Sequence, residues 1–273
     1  VIALDRDTLT KNHADILIKK YPNRFQFINS KFSEISKLKQ NPKAIIFDLG
    51  LSSMQLSDNT RGFSFNSKKS INMEMGINNT STIDVINKLD RKKLGHIIKI
   101  FGDEKDGKKI ANKIDNYRRK NKIETSEQLA EIIKKVKKKH KSYKTNPATK
   151  TFQAIRIFVN KEMSELVSAL IAATNLLKNG GILLVVSFHS LEDKIVKNFF
   201  NIYSNLGKNP SRYIPFKDKR ITLFNLTSKK PQIPSEKEIL INKRSRSAKL
   251  RYAIKNQNSV FDPNEFLKKF ENY

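Results

Sequence analysis

Short apolar runs alternate with polar, helix-like stretches over the first 50 residues. The apolar runs lie within residues 1–7, 25–29 and 44–50, and a helix-like stretch covers residues 14–20. Parallel strands joined by crossover helices produce this alternation. The pattern therefore predicts an α/β fold at the beginning of the chain.

The same alternation returns in the second half. Apolar positions recur at helical spacing over residues 162–178, namely Met163, Leu166, Val167, Leu170, Ile171 and Leu177. Asn179, Gly180 and Gly181 then predict the end of the helix, and residues 182–188 have the continuous apolar character of a buried strand. We expect the two blocks to share one sheet.

The residues between these blocks are polar, helix-like and very basic, with charge runs at 115–125 and 134–144. We predict an inserted helical subdomain over residues 80–145. It would separate a first part of the main domain, 1–79, from a second part, 146–273. The second part contains a basic stretch near its end that leads into a predicted last strand.

Charge points to a polyanionic partner. Lys and Arg number 54 against 26 Asp and Glu, which gives a formal net charge of +28. A field of this sign attracts nucleic acid, which is the first partner to consider. Two other interpretations of the charge stay open. Abundant Lys, Asn and Ile also indicate genomic bias, and the run 134–144 is also explained as the solvated face of a helix.

Several classes of protein are excluded or disfavoured. The absence of cysteine excludes disulfides, thiolate nucleophiles and Cys-ligated zinc, and the four His have no paired ligand spacing, so we predict no metal. The absence of cysteine also fits a reducing cytoplasm, so we predict a cytoplasmic protein. No apolar run approaches the roughly 20 residues of a membrane span, so we predict no membrane partner. Because the chain begins with Val1 inside a predicted strand, we also expect a further segment upstream.

Ligands of open α/β sheets bind beyond the carboxyl ends of the strands, so the residues that follow each apolar run are candidates. Asp5 follows the first run and suits either a ribose ligand or a solvated turn. Asp7, followed by Thr8, suits a helix N-cap. Phe32 follows the second run, where an aromatic side chain either lies against a ligand or belongs to the core.

The third and fourth apolar runs are followed by more unusual residues. Asp48, a glycine, Ser52 and Ser53 come within a few positions, and such a cluster is a poor candidate for plain scaffold. The fourth run ends at His189, which suits contact with substrate or proton removal. A Ser-His-Asp hydrolase is disfavoured because no G-x-S-x-G elbow is present.

Five motifs together resemble one family. They are DLGLSSMQL at 48–56, RGFSF at 61–65, NPATKTFQAIRIFVNKEM at 146–163, GGILLVVSFHSLEDKIVKNFF at 180–200 and RSRSAKLR at 244–251. In this order they resemble the small-subunit rRNA cytosine-N4 methyltransferases called RsmH or MraW. The resemblance implies a class I S-adenosylmethionine-dependent methyltransferase, a Rossmann-like sheet here lacking its first strand, with a helical insertion that helps bind substrate. It also implies a target cytosine in the decoding centre of 16S rRNA.

Site roles follow from the resemblance, position by position. The cofactor S-adenosylmethionine is expected to contact Asp5 at its ribose, Phe32 near its adenine, and Asp48 and Gln55 around its methionine end. Residues 146–152 and 187–193 are expected to line the target side. As catalytic residues we select Asp48, Ser52, Ser53 and His189, since the delocalised N4 lone pair requires acceptors that hold the amine while the methyl group is transferred.

The expected partner is 16S rRNA within the small ribosomal subunit. The sequence leaves open whether the protein forms a homodimer. For contacts with the RNA we select basic side chains in or beside the motifs, which are Arg61, Lys150, Arg156, Lys194, Arg246 and Lys249.

Three departures from the family pattern favour an alternative, a catalytically inactive RNA- or ribosome-binding relative. A glycine-rich D-x-T-x-G-x-G-G-H-S segment would precede Val1. The family's D-M-R-M-D is N-M-E-M-G at residues 72–76, and its H-P-A-T-R is N-P-A-T-K at residues 146–150. A DNA amino methyltransferase is disfavoured, because its D/N/S-P-P-Y/F signature is absent after Asp48.

Overall fold

A computed structural model describes residues 1–77, 80–137, 146–204, 222–256 and 261–271. Within these ranges the strands are β1 Ile2–Asp5, β2 Gln26–Asn29, β3 Ala44–Asp48, β4 Ile182–Ser187, β5 Phe224–Asn225 and β6 Lys249–Lys255. The α-helices are α1 Lys11–Lys20, α2 Ser53–Ser57, α3 Thr82–Lys88, α4 Arg91–Gly102, α5 Gly107–Arg118, α6 Ser126–Lys137, α7 Thr149–Asn160, α8 Glu162–Leu176, α9 Ser190–Tyr203, α10 Glu236–Ile241 and α11 Asn264–Phe270.

The strands and the long apolar helix predicted from the sequence are confirmed. β1, β2, β3 and β4 lie in the four apolar runs, and β6 is the last strand expected after the basic stretch. Gly180 follows α8 with φ +75°, as the glycine-rich helix end required. Among the described residues, no helix has the length and apolarity to cross a membrane.

The chain divides into two compact units. The first unit consists of Val1–Ser30 and Leu51–Glu162, and the second of Lys31–Gly50 and Met163–Tyr273. These bounds differ from the division predicted from the sequence, and the inserted subdomain over 80–145 stays a prediction. The residues 138–145 at its end, which include most of the charge run 134–144, lie outside the described ranges.

The first unit combines a small parallel sheet with a helical core. β1 and β2 pair in parallel, with Ile2 opposite Gln26 and Asp5 opposite Asn29. The helices α3 to α7 bury one apolar face each, so their side chains form a continuous core that includes Ile86, Leu94 and Ile110. Asp90 begins α4 by accepting hydrogen bonds from the amides of its first turn.

The second unit is built on a mixed sheet with the order β3-β4-β6-β5. β3 and β4 are parallel, while β6 is antiparallel to both β4 and β5. The rings of Phe199, Phe224 and Phe266 pack together beside Tyr203, whose pKa is raised to about 12 by burial.

The expectation of a single sheet is confirmed for β3 and β4 and is wrong for β1 and β2. The described strands form two sheets, a pair β1-β2 and the four-stranded sheet that contains β3 and β4. Apolar periodicity identifies strands but carries no information on which backbone each strand pairs with.

Gly76 allows two distant segments of the first unit to meet. Its φ is +76°, and a Cβ built at this position would lie 2.1 Å from the carbonyl oxygen of Arg6. The neighbouring Met75 amide donates to Asn160 Oδ1 at 2.8 Å, and the Asn160 amide donates to Met73 O at 2.8 Å. The glycine therefore has a steric as well as a conformational role.

We predict that Gly76→Ala destabilises the protein more than Gly180→Ala. Both glycines have positive φ, which costs an alanine about 1 kcal/mol, but Gly180 has no atom within 4 Å of the added Cβ. The clash at Gly76 should raise the loss to about 3 kcal/mol. Urea unfolding of both variants measures the difference, and equal losses would contradict the steric role.

Candidate functional site

Asp5 is the last residue of β1 and presents an available acceptor. Its Oδ1 accepts a hydrogen bond from the Asp7 amide at 2.8 Å. Within the described part of the chain, its other oxygen accepts no hydrogen bond. Burial, together with the nearby charge of Asp7, raises the pKa of Asp5. This carboxylate is therefore fixed at one oxygen and open at the other.

Asp7 caps a short 3-10 helix, Thr8–Thr10, as the sequence predicted, and also binds two distant side chains. Its Oδ1 accepts from the Leu9 amide at 3.2 Å. Its Oδ2 accepts from Gln55 Nε2 at 2.8 Å and pairs with the Arg61 guanidinium. Burial opposes ionisation, but the hydrogen bonds from Gln55, Arg61 and Leu9 hold the pKa of Asp7 below its usual value. The residue is 1% exposed, so its role is internal.

Gln55 is oriented by a capping box at the start of α2. Ser52 Oγ accepts from the Gln55 amide at 3.1 Å, and Gln55 Oε1 accepts from the Ser52 amide at 2.9 Å. Since Nε2 donates to Asp7, one N–H of the side-chain amide has no partner in the described ranges. Ser52 and Ser53 themselves are exposed.

Asp48 ends β3 in the second unit. Burial, followed by the charge of Glu192, raises the pKa of the Asp48 carboxyl. No hydrogen bond to this carboxylate forms within the described residues. Gly50, with φ +96°, turns the chain beside the Phe188 ring. A raised pKa makes a carboxylate a better proton acceptor.

Phe32 begins the 3-10 helix Phe32–Lys37 in the second unit. Its ring centroid lies 5.6 Å from that of Phe47 in β3. The side chain is half-buried, so the ring combines a core contact with a partly exposed surface.

His189 caps the N-terminus of α9. Its Nδ1 accepts from the Glu192 amide at 3.3 Å, while Nε2 lies 3.1 Å from Glu192 Oε1 without hydrogen-bond geometry. Glu192 Oε2 accepts from the amides of Phe188 and His189 at 2.8 Å and 3.2 Å. Glu192 received no role of its own from the sequence, although its position three residues after His189 is the spacing of a capping box.

Four of the side chains predicted to contact RNA are in ion pairs with carboxylates of the protein, and the longest of these pairs joins Lys150 to Asp103 at 3.8 Å. Arg61 pairs with Asp7 and donates to Glu74 O at 2.8 Å, and Arg156 makes two hydrogen bonds of 2.8 Å to Glu162. Lys249 lies 3.2 Å from Asp193. The side chains of Arg61 and Arg156 are each only 12% exposed. RNA contacts through these two arginines would require breaking buried ion pairs.

Lys150 and the other two predicted RNA contacts are more accessible. Lys150 is about half exposed and donates to Asp103 O at 2.8 Å. Lys194 and Arg246 are exposed. Neither of these two forms an ion pair with a described residue, so their charges are available to a polyanion.

The predicted site residues thus fall into two groups. In the first unit, Asp7 links Asp5, Gln55 and Arg61 through direct hydrogen bonds. In the second unit, burial and then the charge of Glu192 raise the pKa of Asp48, and the Glu192 carboxylate accepts a hydrogen bond from the His189 amide. The roles of all these residues in binding or catalysis stay predictions.

Comparison with known proteins identifies the family. The sequence profile of the MraW methylase family matches residues 1–256. The chain belongs to the MraW methylase family. It therefore has the class I S-adenosylmethionine-dependent methyltransferase fold, an α/β architecture with the mixed sheet described above.

Three curated relatives of this MraW-family chain are each named "Ribosomal RNA small subunit methyltransferase H". The protein of Ehrlichia canis (strain Jake) is 42% identical over 261 residues, 93% of this chain and 85% of the relative. That of Rickettsia africae (strain ESF-5) is 42% identical over 259 residues, 93% and 83%. That of Afipia carboxidovorans is 40% identical over 267 residues, 96% and 80%.

MraW-family membership implies S-adenosylmethionine, and the available side chains suit this cofactor. Asp5 has an open carboxylate oxygen for ribose hydroxyls, and Gln55 has an open N–H for a carboxylate. Phe32 has a partly exposed ring for an adenine. Each of these side chains, taken by itself, therefore suits one part of a nucleoside that carries an amino acid.

We predict that Arg61→Gln lowers the free energy of unfolding by about 3 kcal/mol at neutral pH, because it leaves the Asp7 carboxylate buried without its cation. The pKa of Asp7 is lower in the folded protein than in the unfolded chain. The ion pair therefore contributes fully to the free energy of unfolding above the pKa of the unfolded chain, and this contribution is lost as the pH falls through the pKa of the folded protein. The difference from the wild type should therefore shrink towards pH 3.

The exposed Arg24, which forms no ion pair within the described residues, provides the control. Arg24→Gln should change the stability by less than about 0.5 kcal/mol at either pH. Urea unfolding at pH 7 and pH 3 checks both variants, and a pH-independent loss for Arg61→Gln would contradict the ion-pair explanation.

Proposed function

We propose that this chain transfers a methyl group from S-adenosylmethionine to the N4 amine of a cytosine in the decoding centre of 16S rRNA. The observation that carries this proposal is the pair of strand-end carboxylates, Asp5 and Asp48, each of which retains acceptor capacity in the described structure. Family membership and the relatives' names supply the reaction class and the rRNA substrate.

The cofactor-binding roles follow from the donors and acceptors that remain open. Asp5 accepts hydrogen bonds from the ribose hydroxyls, as strand-end acids do in nucleoside-binding folds. Phe32 packs against the adenine, and the open N–H of Gln55 binds at the methionine end together with Asp48. The bound cofactor supplies an electrophilic methyl group, so the protein contributes mainly positioning.

The target amine requires acceptors, because its lone pair is delocalised into the cytosine ring. Asp48 accepts an N–H of the amine, and the exposed hydroxyls of Ser52 and Ser53 hold the base edge. The raised pKa of Asp48 suits it to share the proton that leaves the nitrogen. His189, fixed by Glu192, contacts the substrate or helps remove that proton.

The partner in this proposal is 16S rRNA in the small ribosomal subunit, bound in the cytoplasm. The net charge of +28 favours association with the phosphate backbone. Among the predicted contacts, the exposed Lys194 and Arg246 are the best placed to bind phosphates, since their charges are not neutralised by described carboxylates.

An alternative is a catalytically inactive RNA- or ribosome-binding relative. The observation that favours it is the replacement of two family acids by Asn72 and Gly76 and of the central cation by Glu74. The two functions differ in cofactor use, because an inactive relative would bind RNA without transferring a methyl group.

Methyl transfer to small subunits that lack this modification tests the proposal. We expect radiolabel from S-adenosylmethionine to appear in N4-methylcytidine after nucleoside digestion. Asp5→Asn should raise the KM for the cofactor about tenfold or more, the factor expected for a weakened charged hydrogen bond. Asp15→Asn, at an exposed position of α1, is the control and should leave KM unchanged. Binding of subunits without any transfer would instead support the inactive relative.

The salt dependence of RNA binding tests the predicted phosphate contacts. Affinity for the small subunit should fall steeply with salt, and each lost phosphate contact should reduce the slope by about 0.7 to 0.9 log units per log unit of salt. We expect this reduction for Lys194→Gln and for Arg246→Gln. Lys37→Gln, which removes an exposed lysine already paired with Glu34, should leave the slope unchanged. Unchanged slopes in all three would remove Lys194 and Arg246 from the RNA-binding surface.

A further inference from the structure

Three segments of the first unit meet at the Asp7 carboxylate. They are the 3-10 helix Thr8–Thr10 that follows β1, the helix α2, and the 3-10 helix Asn59–Arg61. Each contributes one residue that contacts Asp7, namely Leu9, Gln55 and Arg61. Each oxygen of Asp7 accepts at least one hydrogen bond, and the residue is 1% exposed. Asp7 is therefore unable to reach a ligand itself and acts only through its neighbours.

We propose that Asp7 is a positioning residue that sets the orientation of both Asp5 and Gln55 for cofactor binding. The inference rests on the proposed function for the roles of those two residues. What it adds is a physical link between the end of β1 and the helix α2.

The Gln55 amide has only one favourable orientation in this arrangement. Its Oε1 accepts from the Ser52 amide, and its Nε2 donates to Asp7 at 2.8 Å. Rotating the amide by 180° would place Oε1 against the Asp7 carboxylate and Nε2 against a backbone N–H, so both contacts would become repulsive. The remaining N–H of Gln55 is therefore held in one direction.

The Asp5 carboxylate is oriented by the backbone of Asp7. The Asp7 amide donates to Asp5 Oδ1 at 2.8 Å. Arg6, between the two acids, donates to Asn160 O at 2.9 Å and to Ile77 O, which anchors the segment on both sides. A change in the position of Asp7 is thus transmitted to Asp5 through the backbone and to Gln55 through the carboxylate.

A matched acid in the same unit lacks these connections. Asp115 in α5 also has a carboxylate bonded to arginines, Arg118 and Arg119, and is 8% exposed. Neither arginine is a candidate cofactor ligand. Asp115→Asn therefore reproduces the loss of a buried ion pair without the proposed effect on the cofactor.

The experiment compares Asp7→Asn with Asp115→Asn in the full chain. Gln55 and Arg61 both donate to Asp7 Oδ2, and the Leu9 amide donates to Oδ1. An asparagine at position 7 has to turn its NH2 group towards one of these sets of donors, and it also removes the charge that pairs with Arg61. We expect hydrogen exchange of the Gln55 side-chain amide, followed by NMR without ligand, to accelerate about tenfold or more in Asp7→Asn only. The KM for S-adenosylmethionine should rise by a similar factor while kcat changes less.

Asp7→Glu keeps the negative charge but moves the carboxylate, so it separates the effect of position from the effect of charge. It is also the variant to measure if Asp7→Asn does not fold. We expect it to raise KM as well, and to add no further increase when combined with Gln55→Leu. The inference is overturned if the Gln55 exchange rate is unaltered, or if Asp115→Asn changes KM equally. A wild-type chain that transfers no methyl group refutes the proposed function alone, because the exchange measurement still decides the role of Asp7.

Discussion

A buried carboxylate has to be satisfied by the protein, and in the first unit this requirement organises the surroundings of Asp7. The charge is removed from water, so it is tolerable only with donors fixed around it. Leu9, Gln55 and Arg61 provide these donors from three segments. The arrangement holds together the start of α2, where Ser52 and Ser53 lie, and the strand that ends in Asp5. The main effect of the ion pair between Asp7 and Arg61 is to fix the positions of these segments, more than to raise the free energy of unfolding.

Local features of the sequence predicted much of the fold. The strands, the helix α8 and the cap at Asp7 depend on residues within a few positions of each other, so periodicity and capping preferences reveal them. The resemblance to a family supplied the candidate roles of Asp5, Phe32 and Asp48. Hydrophobic patterning alone placed these residues at strand ends, where ligands bind, but left their roles open.

Local sequence patterns did not predict contacts between residues that are distant in the sequence. Gln55 and Arg61 lie 48 and 54 residues from Asp7, so no local signal indicated that they share its carboxylate. For the same reason Arg61 was selected as an RNA contact, whereas in the structure its guanidinium is held inside the first unit. Many other basic residues also have internal partners. Lys255, whose pKa is lowered by burial, donates to the carbonyls of Thr174 and Leu177, so net charge overstates the cationic surface.

The close approach of Gly76 to the Arg6 carbonyl limits which residues this position accepts. The resemblance places an acid of the family pattern at position 76, but the present backbone leaves no space there for any side chain. Substitution at this position and the path of residues 5–7 are therefore not independent. Placing the family's acid at position 76 alone would bring its Cβ against the Arg6 carbonyl. A side chain at position 76 therefore requires a compensating shift in the path of residues 5–7.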